Sequence, residues 1–239
     1  MIINLYFSWK TGSNFARKYF KNLCEISNIE HIKITDNNKP KTKHNNYCVC
    51  LYRIPNEKHF NKNTTEYNII QLRDPRDVLV SAYYSMAYTH PYGARTAEIH
   101  QAVQKKNIDN FIIENYKTTL KIFEDTIKIS KQMNNVDFVN YSMMVLNFEE
   151  WVKQTTKHFN ITSQQKDKLF KKYKNEFENI KEITENELKL IDTKNFDIKY
   201  HKRKVIPGDY KQKLKSSTIQ LLNEKFINIL DFMKSKNEL

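Results

Sequence analysis

The chain has 239 residues, enough for one domain of ordinary size that buries a sizeable core without disulfide or metal staples. Apolar residues make up 39% and charged residues 28%, with 14 Tyr and 14 Phe, which excludes a disordered or collagen-like chain. The net charge of +13 predicts a field that attracts an anion without naming it, and the preference for lysine over arginine is equally what an AT-rich genome produces.

The opening MIINLYFSWK lacks the charged start, apolar middle and small-residue cleavage site of a signal peptide, and no apolar run reaches the roughly 18 residues of a membrane span. The expectation is a soluble, cytoplasmic chain without a membrane partner. Cys24, Cys48 and Cys50 are odd in number and lack a second zinc-ligand pair, so reduced thiols are expected. No HExxH or Asp-rich loop is present either, and no metal is expected.

In chain order, the apolar run at 2–8 predicts a strand, and Phe15, Ala16, Tyr19, Phe20 and Leu23 recur at helical spacing from Ser13 to about Ile26. Short buried strands are predicted at Tyr47–Ile54 and Tyr67–Leu72. Asp74-Pro75-Arg76-Asp77 reads as a helix start, with Asp74 capping, Pro75 at the first helical position and Asp77 near the positive end, and the helix is expected to reach about Tyr88. A long amphipathic helix over Ile108–Met133 precedes a strand at Val136–Tyr141. Helices follow at Phe148–Phe159, Gln164–Glu178 and Ser217–Met233. Strands alternating with helices predict an α/β fold over residues 1–239: a mainly parallel sheet with helices on both faces, its ligands at the carboxyl ends of the strands.

Three motifs stand out. Lys10-Thr11-Gly12-Ser13-Asn14-Phe15 lies between the first strand and first helix, where free amides and the positive helix end make an anion site, although the Lys precedes the Gly, unlike in a Walker loop. Arg73-Asp74-Pro75-Arg76-Asp77 leads to Ser81, one turn after Asp77, and an Arg fork plus a hydroxyl suits a phosphate; the plainer alternative is that Arg73 pairs with Asp77. Arg203-Lys204-Val205-Ile206-Pro207-Gly208-Asp209-Tyr210-Lys211 sets a basic pair before a turn, which by itself reads as a solvated loop.

In combination the three motifs resemble those of cytosolic-type sulfotransferases, in order and spacing, across residues 10–211. The first is similar to the family's Lys-Ser/Thr-Gly-Thr-Thr-Trp loop, the second to its Arg-Asn-Pro-x-Asp-x-x-x-Ser segment, the third to its Arg-Lys-Gly-x-x-Gly-Asp-Trp-Lys segment. The resemblance implies a P-loop-like architecture and transfer of a sulfonate from 3′-phosphoadenosine 5′-phosphosulfate, leaving adenosine 3′,5′-bisphosphate, to a hydroxyl or amine of a small, phenolic-type acceptor. It implies that Lys10 contacts the bridging oxygen; that Thr11, Gly12, Ser13 and Asn14 cradle the 5′-phosphate; that Phe15 stands at the adenine-stacking position; that Arg73, Ser81, Arg203 and Lys204 hold the 3′-phosphate; and that Tyr141 packs beside the adenine.

The likeness departs at the catalytic base. Arg53 occupies the position of the family's histidine in Leu51-Tyr52-Arg53-Ile54-Pro55, and a guanidinium stays protonated, so Arg53 is expected to hold the sulfonate while His59, or Glu57, takes the proton. His90 and His100 are remoter candidates. Tyr88, Pro91, Tyr92, Gly93 and the 53–62 loop are expected to line the acceptor pocket. Two other classes fit parts of the sequence: a basic nucleic-acid-binding protein on a nucleotide-binding scaffold, against which stands the absence of a recognition motif, and a small-molecule kinase, against which stands the absence of the Gly-Lys-Ser/Thr order.

Overall fold

The computed structural model describes residues 1–34, 47–51, 66–90, 95–178 and 206–236. Five strands form one parallel sheet: β1 (Ile2–Phe7), β2 (Glu30–Ile34), β3 (Tyr47–Leu51), β4 (Glu66–Leu72) and β5 (Val136–Asn140), in the order β2-β3-β1-β4-β5. Side chains alternate between two cores, as the pleat requires. Ile3, Leu5 and Phe7 of β1 join Ile69 and Val139 on one face, while Tyr6, Ile70 and Leu72 enter the other. Burial on both faces is why β1 and β4 read as largely apolar runs.

The first face is covered by α1 (Ser13–Ile26), α6 (Phe148–Thr155) and α7 (Ser163–Glu178), where Tyr19, Phe20, Leu23, Trp151 and Tyr173 pack together. The second carries α2 (Pro75–Tyr84), α3 (Thr96–Gln104), α4 (Ile108–Ser130), α9 (Ser216–Lys225) and α10 (Ile227–Ser235). Two short helices, α5 (Tyr141–Leu146) and α8 (Tyr210–Lys213), complete the described elements. β1 pairs with both β3 and β4, with Leu5 opposite Cys50 on one side and Ile69 on the other. The connections leave in opposite directions here, so a crevice opens beyond the carboxyl ends of β1 and β4.

Several boundaries differ from the sequence reading for physical reasons. The helix expected to reach Tyr88 leaves α geometry at Tyr84 and continues as a π-helical turn over Ser85–Thr89. Tyr141 ends the expected strand but opens α5, because the Asn140 side chain accepts the Ser142 N–H at 2.6 Å and caps a helix there. The last expected helix is broken at Phe226, which is fully buried and serves as junction between α9 and α10. β2, with Glu30, His31 and Lys33 among its five residues, and α3 carried too little apolar signal to be anticipated. The expected strand continuation at 52–54 lies outside the described residues.

Candidate active site at the carboxyl ends of the central strands

The loop from β1 to α1 is shaped by two residues with positive φ, Lys10 at 65° and Gly12 at 88°. Gly12 is required twice over. Its backbone conformation suits glycine, and a Cβ there would stand 2.7 Å from Met144 Cε, 3.2 Å from Gln71 Nε2 and 3.3 Å from Tyr141 Cδ2. Thr11 is fully buried, with its hydroxyl donating to Ser8 O at 2.7 Å and its amide to the same oxygen at 3.3 Å. Gln71 ties the loop to the sheet: its amide nitrogen donates to Thr11 O, and its oxygen accepts from Trp151 Nε1 at 3.1 Å.

The first amide to donate within α1 is Ala16, to Gly12 O at 3.0 Å, so Ser13 and Asn14 have no intrahelical acceptor for theirs. The first turn of α1 contains no acidic side chain that would compete for this positive end.

Arg73 follows β4 directly and is 6% exposed. Its Nη1 donates to Lys10 O at 2.9 Å, its guanidinium carbon lies 4.1 Å from the Tyr141 ring centre, and its buried Nε has no hydrogen-bond partner among the described residues. The two cations act on each other. Burial first, then the Arg73 charge, lowers the Lys10 pKa from 10.5 to about 8. Neither is in an ion pair among the described residues. Lys10 Nζ lies 5.1 Å from the ring centre of Trp9, which is 45% exposed at the mouth of the loop.

Arg76 and Asp77 have other partners. Arg76 pairs with Asp74, Nη2 to Oδ2 at 2.6 Å, donates to Asn223 Oδ1 at 2.5 Å and stacks on Tyr210 at 4.2 Å. Asp77 is 1% exposed and accepts the amides of Gly208 at 2.7 Å and Tyr210 at 3.1 Å. Burial raises its pKa; the Arg73 charge and the two amides pull the other way. The Pro-Gly turn of the third motif is thereby fastened to the start of α2, and the alternative Arg73–Asp77 pair is not formed.

The model of the sulfotransferase domain matches residues 17–231. The chain belongs to this family. Among solved structures, the mouse sulfotransferase SULT7A1 complexed with PAP, adenosine 3′,5′-bisphosphate, aligns with a TM-score of 0.59 at 15% identity, covering 95% of this chain and 82% of that one. Retinol dehydratase in a complex with retinol and PAP aligns with a TM-score of 0.61 at 13% identity, covering 98% and 81%. No curated protein sequence matches the chain. The family match begins just after the Lys10 loop, and at these identities the structural likeness establishes the α/β sulfotransferase fold.

Of the residues singled out in this sulfotransferase sequence, Lys10, Gly12, Arg73 and Tyr141 come together around the loop. Ser13 and Asn14 are in the first turn of α1, and the half-buried Ser81 is one turn along α2 from Asp77. Phe15 sits beside them, 5.8 Å from Phe148 and 5.6 Å from Tyr173 between ring centres. Thr11 is turned inward and holds the loop. Arg53, Glu57, His59, Arg203, Lys204, Pro91, Tyr92 and Gly93 lie outside the described residues. Gln71 and Met144 were missed: nothing in a strand glutamine or a helical methionine signals that the chain crosses over a glycine loop. Among the described residues no three His, Cys, Asp or Glu side chains gather to hold a metal, and no helix is long and apolar enough to cross a membrane.

Proposed function

We propose that the protein transfers a sulfonate from 3′-phosphoadenosine 5′-phosphosulfate to a hydroxyl or amine of a small acceptor, in the cytoplasm. One observation carries this reading: Lys10 and Arg73 converge beyond β1 and β4, where no carboxylate among the described residues pairs with either. Two adjacent, largely desolvated cations repel, and the arrangement is relieved by an anion bearing several charges. The crystallised neighbours were solved with adenosine 3′,5′-bisphosphate, a molecule with that character.

The residues fit the coenzyme. The buried, unpartnered Arg73 Nε offers a donor toward a phosphate, and the missing Cβ at Gly12 lets the backbone approach closely. When bound, the coenzyme supplies an activated sulfonate on a good leaving group. The chain's own work is then positioning and charge stabilisation. Lys10 is assigned to the bridging oxygen, the amides of Gly12, Ser13 and Asn14 to the 5′-phosphate, and Arg73 with Ser81, Arg203 and Lys204 to the 3′-phosphate. Phe15 and Tyr141 are assigned to the sides of the adenine, and Arg53 to the sulfonate.

The test is a thermal melt with adenosine 3′,5′-bisphosphate and, separately, ATP, followed by transfer of labelled sulfonate to a panel of phenols, alcohols and amines. Stabilisation by the bisphosphate alone, with product formation, is expected. Equal stabilisation by ATP, or salt-sensitive DNA binding with no nucleotide effect, would overturn the reading.

A further inference from the structure

A lysine that stabilises a leaving group must be held in place, and a carboxylate that held it would cancel the charge it is there to supply. We propose that the Trp9 indole does this holding: it positions the Lys10 ammonium at the crevice by a cation–π contact that leaves the positive charge whole. The role rests on the coenzyme reading above, which assigns Lys10 to the bridging oxygen.

Trp9 belongs to neither hydrophobic core, is 45% exposed, and is the only exposed aromatic among the described side chains. What fixes it is a turn. The Ser8 carbonyl accepts the Thr11 amide at 3.3 Å and the Thr11 hydroxyl at 2.7 Å, so Trp9 and Lys10 are the two central residues of a four-residue turn. Lys10 has a positive φ of 65° and Trp9 does not, the pattern of a type II turn, whose third position ordinarily takes glycine or asparagine. A lysine kept there against backbone strain points to a need for its side chain at that place. The same turn sets Lys10 Nζ 5.1 Å from the indole ring centre, inside the range of about 6 Å over which a ring face attracts a cation, and Trp is the strongest of the aromatic side chains in this respect.

The surroundings of the ammonium otherwise disfavour its charge. Arg73, at the end of β4, repels it, and burial acts in the same direction and more strongly. His90, after the π-helical turn Ser85–Thr89, is the other described titratable group that interacts with it. Among the described residues the indole is the one contact that favours the charged form. A carboxylate in its place would hold the lysine harder but would repel an incoming phosphosulfate, whereas the ring attracts the cation and carries no net charge. Trp9 is thus a positioning residue, acting on the reaction through Lys10.

The chain has two tryptophans and Trp151 is fully buried, so the emission of Trp9 is isolated as the difference between wild type and Trp9→Leu. That difference should titrate with a midpoint of about 8 as the ammonium loses its proton, should cease to titrate in Lys10→Met, and should titrate at higher pH with bound adenosine 3′,5′-bisphosphate. In transfer of labelled sulfonate to 2-naphthol, Trp9→Leu should leave the coenzyme KM near wild type and lower kcat about 3- to 30-fold, with part of the loss recovered in Trp9→Phe. In a Lys10→Met background the Trp9→Leu replacement should cost nothing more, which separates an action through the lysine from a direct contact with the acceptor or a purely structural role. An emission difference indifferent to pH around 8, or equally pH-dependent in Lys10→Met, overturns the proposal. So does a Trp9→Leu loss of the same size with either residue at position 10, or near-normal kcat in Trp9→Leu. Where 2-naphthol is not turned over, the emission titration decides alone. A wild type that fails to bind the bisphosphate overturns the coenzyme reading instead.

Discussion

Replacing Lys10 by Met separates the lysine's cost to the fold from its value to the reaction. The ammonium's pKa falls from 10.5 to about 8, so keeping it charged in the ligand-free protein at neutral pH costs about 3 kcal/mol, at about 1.4 kcal/mol per tenfold change. Its remaining contact with solvent brings the recoverable part to about 1–2 kcal/mol. Methionine keeps the unbranched length, the contact with the Trp9 ring and the same strain at a positive φ of 65°, so the comparison isolates the charge. A chain of this size gains about 2–4 °C in Tm per kcal/mol, and Lys10→Met without ligand should therefore melt about 2–8 °C higher than wild type at neutral pH. The sign of the pH dependence follows. Between about pH 8 and 10.5 the unfolded lysine holds a proton that the folded one has released, so wild-type stability rises with pH across that window and the advantage of the variant shrinks. Labelled-sulfonate transfer should meanwhile fall by at least about 10²-fold, the scale seen when one charge-stabilising donor is removed. A variant that melts below wild type without ligand, or that turns over normally, would refute this reasoning.

Three further predictions concern the frame around the loop. Gly12→Ala should destabilise the protein by about 1–3 kcal/mol, from the left-handed φ of 88° together with the approach to Met144; in denaturant titrations of a double-mutant cycle with Met144→Ala, the coupling energy should report the contact part alone. Arg73→Lys keeps the charge but loses the fork that reaches Lys10 O and the stacking on Tyr141, and calorimetry should find adenosine 3′,5′-bisphosphate bound at least about 10-fold more weakly. Asp77→Ala leaves the buried amide of Tyr210 without its acceptor and releases that of Gly208, so a stability loss of about 1–3 kcal/mol should accompany weaker bisphosphate binding; unchanged binding would show that the turn at 206–210 is held by other contacts.

The sheet was legible because a parallel strand buried on both faces writes itself as a short apolar run, and β1 and β4 do so. β2 was missed for the complementary reason: Glu30, His31 and Lys33 break the run in a strand paired on one side only. The change from α to π geometry at Ser85 leaves no mark in SMAYT, since it depends on what α3 supplies across the turn, including the bond from Gln104 to Ala87 O. At the site, Lys10, Gly12 and Arg73 were singled out by the order and spacing in which they resemble the family's motifs, and the fold brings them to one loop. The part played by Asp77 could not be read in this way. From the sequence it is a helix-start carboxylate or a partner for Arg73, and only the fold brings Gly208 and Tyr210, more than 130 residues away, onto its two oxygens.

The electrostatics give that distant contact its meaning. Arg73 is kept from Asp77 because the carboxylate is already engaged by two amides, and from Asp74 because that side chain is engaged by Arg76. Both acids nearest the guanidinium in sequence thus hydrogen-bond to other partners, and neither Arg73 nor Lys10 is in an ion pair among the described residues, although the Arg73 charge still acts on Asp77. A buried cation that merely stabilised the fold would be cheaper as an apolar residue of the same volume. Here the backbone amides of the third motif, rather than a contact ion pair, satisfy the Asp77 oxygens, so the Arg73 fork stays open to something that enters the crevice.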